Sequence, residues 1–107
     1  MKIIRNDILP FRGFRAINLF GILFVRGDHE IDEILINHER IHSVQMRETG
    51  YALFYLWYFI EWLVRLALPG DAYRNIGFER EAYTNQTDLS YLERREPFSW
   101  VKYIKSK

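Results

Sequence analysis

The apolar positions of the chain change their spacing at Gly27-Asp28. Before that point, "FRAINLFGILFVR" packs Phe, Ile, Leu and Val into short runs on either side of Gly21, the pattern of a β-hairpin or one bent strand. After it, Ile31, Ile34, Leu35, Ile41 and Met46 recur at helical intervals. This predicts an amphipathic helix beginning at Asp28 or Glu30 and running to Glu48, with Gly50 as its stop.

"YALFYLWYFIEWLVRLALPGD" follows, apolar almost throughout and closed by Pro69-Gly70, so a second helix is expected from Tyr51 to Leu68. Its length approaches the roughly 20 residues of a membrane span. Glu61 and Arg65 oppose that use, at about 2.5 to 3.5 kcal/mol each in a bilayer centre, and their i,i+4 spacing suits an ion pair. The expected role is therefore a helix central to a small domain, with several bulky residues in the core. The alternative rests on seven aromatic residues between Tyr51 and Trp62, which suit a membrane interface or self-association through residues 51–68. The remainder predicts a third helix from Ala72 to Arg95, bent near Gly77, a break at Pro97, and a final strand or short helix over Phe98 to Ile104 whose aromatics close over the core.

Three main helices after a small β element make an α+β chain, and 107 residues suffice for a single domain, residues 1–107, with one modest core. The net charge of +1, without a block of either sign, gives no nucleic-acid footprint. Cysteine is absent, which removes disulfides, thiolate zinc sites and a cysteine nucleophile, so any metal must be held by histidine and carboxylate. No apolar run of signal-peptide length opens the chain, and the expected compartment is the cytoplasm, with membrane association through the aromatic helix as the variant.

The chemistry concentrates in "NHERIHSVQ". His38 and His42, four apart, share one helical face one turn from each other, a spacing that suits a divalent metal, zinc (Zn2+) first. Glu39 is rotated to the side, where it can take a proton from water. Gln45 returns to the histidine face and can orient a ligand. A catalytic zinc needs a third protein ligand, and "GFEREAYTNQ" offers Glu79. Glu79, Ala82, Tyr83 and Gln86 share a face, with Ala82 small enough for a close approach to the histidine helix. Glu81 is the rival ligand, but it points about 200° away from Glu79. His29, in "GDHEIDE", reads as a helix-start residue between Asp28 and Glu30.

"HERIH" with "EREAY" some 36 residues later resembles the gluzincin branch of HExxH zinc metallopeptidases, and in size and layout is similar to the minigluzincins. The resemblance spans Arg15 to Asp88. It implies a zincin-like core, His38, His42 and Glu79 as zinc ligands, Glu39 as general base, peptide hydrolysis, and a strand edge that holds extended peptide or protein substrate. One position departs: many gluzincins have an aspartate four after the third ligand, and here Tyr83 stands there, able to accept a hydrogen bond from imidazole but without charge. Tyr73, Tyr83 and Arg74 are the candidates for stabilising an oxyanion. The competing function is a zinc-stabilised or membrane-associated interaction domain that does not hydrolyse peptides.

Overall fold

The computed structural model describes residues 2–6, 16–27 and 31–104. They form a three-stranded sheet with strands β1 (Lys2–Asn6), β2 (Ala16–Leu19) and β3 (Ile22–Arg26), then helices α1 (Glu33–Glu48), α2 (Ala52–Leu66), α3 (Gly77–Asn85) and α4 (Tyr91–Arg94), and a closing 3-10 helix, Ser99–Tyr103. The class is α+β. Among the described residues the strand order β1-β3-β2 leaves β2 at an edge, antiparallel to β3, while β1 runs parallel to β3 on the other side.

The expected hairpin around Gly21 is present. Phe20 and Gly21 both take positive φ, the geometry of a tight hairpin turn, and the strained Phe20 is held by its N–H donating to Tyr55 Oη at 2.9 Å. Strand β1 lies beyond that expectation, and its parallel pairing on β3 defines it.

Helix α1 starts later than the periodicity suggests. The Asp32 carboxylate accepts the Leu35 N–H at 2.8 Å and thereby sets the first turn at Glu33. The expected starts at Asp28 and Glu30, and the helix-start role of His29, fall outside the described residues. The helix ends as Gly50 predicted: Tyr51 N–H bonds Met46 O at 2.8 Å and Gly50 N–H bonds Arg47 O, with Gly50 at φ +71°. This pair of bonds needs a left-handed residue that a side chain would strain.

Helix α2 departs most from expectation. Its buried residues are Phe54, Glu61 and Arg65, while nine large apolar side chains between Leu53 and Leu66 are 36–61% exposed. The charges turn inward because partners await them there. Glu61 Oε1 accepts the Gly77 N–H at 3.0 Å and the Trp57 indole N–H at 3.1 Å, and Oε2 accepts from Arg65 at 3.4 Å. Glu61 thus caps α3 from a neighbouring helix. Among the described residues no helix is long and apolar enough to cross a membrane.

The single bent helix expected over Ala72–Arg95 is instead two helices. Gly77 is not a bend but the first residue of α3, where a Cβ would lie 2.8 Å from Ile104 and crowd the 3-10 helix. Past Asn85 the chain leaves the helix because the Asn37 amide draws the carbonyls of Asn85, Gln86 and Asp88 to itself at 3.3, 2.9 and 3.0 Å. The tail resolves to the short helix, and Trp100 closes on Phe78 (ring centroids 4.6 Å) as expected, whereas Phe98 stays half exposed. One core cluster is Met46, Phe54, Ile76, Phe78 and Trp100, Leu23, Val25 and Ile41 are also fully buried, and Ala82, fully buried, lies where α3 meets α1.

Candidate metal centre

His38 and His42, one turn apart on α1, both point their Nε2 atoms at Glu79 of α3. The three atoms His38 Nε2, His42 Nε2 and Glu79 Oε1 form a near-equilateral triangle of 3.1, 3.1 and 3.0 Å, with all three residues buried. Among the described residues they form a group whose donor atoms lie close enough to share one ion. A tetrahedral ion with bonds of about 2.0–2.1 Å has ligand edges of about 3.3–3.4 Å. The triangle fits zinc after an outward relaxation of a few tenths of an ångström.

The outer nitrogens decide what those inner atoms can do. His38 Nδ1–H donates to Gln86 Oε1 at 2.8 Å, and His42 Nδ1–H donates to Gln45 Oε1 at 2.8 Å. With each proton on Nδ1, two imidazole lone pairs and a carboxylate oxygen converge on one point. Such convergence suits a cation.

In the protein alone a proton takes that role. Burial by itself would lower the His42 pKa, but the charge and hydrogen bond of Glu79, helped by Glu39 and Gln45, more than offset it and hold His42 at about 9. Burial would likewise raise Glu79, and the positive His42 with bonds from both imidazoles instead holds it well below the usual carboxylate range.

Each ligand is held by a further partner. Tyr58 of α2 donates its hydroxyl to Glu79 Oε2 at 2.6 Å, leaving Oε1 to the histidines. Burial and then the Glu79 charge push the Tyr58 hydroxyl far above its ordinary range, so it remains a donor. Gln45, fully buried, uses its amide N–H groups on Phe78 O (3.1 Å) and Glu81 Oε1 (2.9 Å), which fixes its oxygen toward His42. Glu81 is the centre of a second buried network, joined to His42 through Gln45, and is not itself beside the histidines. It accepts from Tyr91 Oη at 2.6 Å and is in a short contact with Arg95 Nε, while Arg95 also makes a paired bond to Glu48 at 2.8 and 3.0 Å.

Tyr83 meets His38 through its ring, edge to face with centroids 4.6 Å apart, and Gln86 holds the imidazole nitrogen that Tyr83 was expected to serve. Gln86 was visible as a member of the Glu79 face, seven residues on, without an assigned role. Tyr58 carried no signal that set it apart from the other aromatics of its helix. Arg74 stacks over the Tyr83 ring at 4.1 Å.

The triangle opens on a cleft of about 500 Å³ lined by Glu39, His42, Glu79 and Tyr73, by Tyr58, Phe59 and Trp62 of α2, and by edge strand β2 from Ala16 to Leu19. Asn18 fastens that strand to the histidine helix, donating to Glu39 O and Ser43 Oγ, each at 2.9 Å. Burial raises the Glu39 carboxyl above its ordinary pKa, with His42 and His38 pulling the other way. A scan against protein-family models and searches of curated proteins and of solved structures returned no match.

Proposed function

We propose that this chain is a small zinc-dependent peptidase built on a zincin-like core of the gluzincin kind. The observation that supports the reading is the triangle itself: two lone pairs and a carboxylate aimed at one point by protein bonds behind each ligand, on the wall of an apolar cleft. His38, His42 and Glu79 would hold the metal, which supplies a Lewis acid that acidifies water and polarises a carbonyl. Glu39, on the same wall and with its pKa raised by burial, takes the proton from the attacking water and passes it to the leaving amine. Edge strand β2 pairs with an extended stretch of a peptide or protein substrate. Of the three oxyanion candidates, Tyr73 lines the cleft, and its hydroxyl, pushed up by burial and by the Glu79 charge, stays protonated and able to donate.

Elemental mass spectrometry on protein purified without chelator or affinity metal tests the ligand set. About one zinc per chain, lost or much weakened in Glu79→Ala, is the expected result. A wild-type chain that takes up no zinc when the metal is added back refutes it.

A second reading, a zinc-stabilised interaction domain without turnover, is favoured by one fact: the site joins α1, α2 and α3 through His38, Tyr58 and Glu79. Chelation would then lower the melting temperature strongly while a peptide library stays uncut.

A further inference from the structure

From the outward face of α2 we infer that the protein pairs with a second copy of itself through this helix. At 100° per residue, the nine exposed apolar side chains cover roughly 220° of the helix with no charged position among them. Taking about 150–250 Å² for each large side chain at the observed exposures, the patch is roughly 800 Å². Monomers rarely expose more than about 300–600 Å² in one patch, and a stable complex buries about 800 Å² on each partner. The area is that of half an interface.

A second copy suits the face better than a lipid surface does. The net charge of +1, without a basic block, gives little attraction to anionic headgroups. Leu53, Leu56, Ile60 and Leu63 run down the middle of the face at three- and four-residue steps, the spacing by which one helix seats in the grooves of another. Pairing across a two-fold axis puts the same stripe on both sides. Phe59 and Trp62 belong both to this face and to the cleft wall, so the partner stands at the mouth of the cleft.

The test is the mass of the full chain in detergent-free buffer by sedimentation equilibrium. The expected result is twice 13.0 kDa for the wild type and 13.0 kDa for Leu56→Glu/Leu63→Glu, with the helical circular dichroism retained. Leu89→Glu, at an exposed apolar position off α2, should remain a dimer. If the double variant misfolds, Ile60→Cys decides. The chain has no cysteine of its own, and Ile60 lies beside the midpoint of α2, so antiparallel pairing brings two copies of position 60 together and oxidation yields a covalent dimer. Wild-type protein that is monomeric, including protein that binds phosphatidylcholine vesicles as a monomer, overturns the inference. So does a dimer that survives the double substitution, or an Ile60→Cys variant that cross-links no better than Leu89→Cys.

Discussion

Replacing Gln86 isolates what the outer hydrogen bond of His38 contributes. Its side-chain oxygen accepts from His38 Nδ1 at 2.8 Å, and the residue is only half buried at the end of α3. In Gln86→Leu water can reach the freed Nδ1–H, so the fold loses only about 0.5–1.5 kcal/mol, the net worth of one hydrogen bond. The metal should feel more. Without a partner the ring is free to rotate and to carry its proton on Nε2, and losses of about 10- to 100-fold in affinity follow from removing such a contact. That corresponds to about 1.4–2.7 kcal/mol. Gln86→Glu should act in the opposite direction, because a carboxylate accepts a charge-assisted bond about twice as strong and makes the imidazole a better donor to the metal. The assay is competition for zinc against a chromophoric chelator at fixed pH, with melting curves of the metal-free proteins beside it. An affinity for Gln86→Leu within twofold of wild type, or the same sign of change in both variants, would show that this contact does not orient the ligand.

Further expectations follow from the same geometry. Glu39→Gln should keep zinc at full stoichiometry and abolish peptide cleavage; cleavage at the wild-type rate would remove Glu39 from its role as base. Zinc binding should tighten as pH rises from about 6.5 to 9, by up to about tenfold per unit, because the ion displaces the proton that His42 holds up to about 9. The metal-free fold should move the other way over that window: the raised His42 pKa stabilises it fully below about 6.5, and that contribution is lost as pH passes 9. A pH-independent affinity in chelator titrations would contradict both statements. Arg95→Met leaves Glu81, which is fully buried, without its cation and should cost about 3–5 kcal/mol in urea unfolding. Lys102→Met, which breaks the exposed pair with Glu96, should cost about 0–1 kcal/mol; equal effects would mean that burial does not set the difference.

The local signals in the chain carry their own geometry, and those are the ones that held. The i,i+4 spacing of His38 and His42 puts two imidazoles on one face of any helix, and Gly50 at the end of a periodic segment supplies the left-handed residue that a helix stop requires. The shared face of Glu79, Ala82 and Gln86 is a property of one helix, and so it could be read before that helix was placed.

Tertiary structure decided everything that depends on two elements meeting. That Glu79 and not Glu81 faces the histidines follows from how α3 lies on α1, with Ala82 fully buried and Glu81 drawn off by Arg95, Tyr91 and Gln45. The break after Asn85 depends on an amide 48 residues earlier, at Asn37, and β1 is defined by its pairing with β3. Helix α2 shows the limit most clearly. Its composition is mostly apolar, but whether Glu61 or the leucines turn inward is set by the Gly77 N–H that waits for a cap, a group contributed by a segment sixteen residues further on. Periodicity within one segment determines which residues share a face; only the neighbours determine what that face meets.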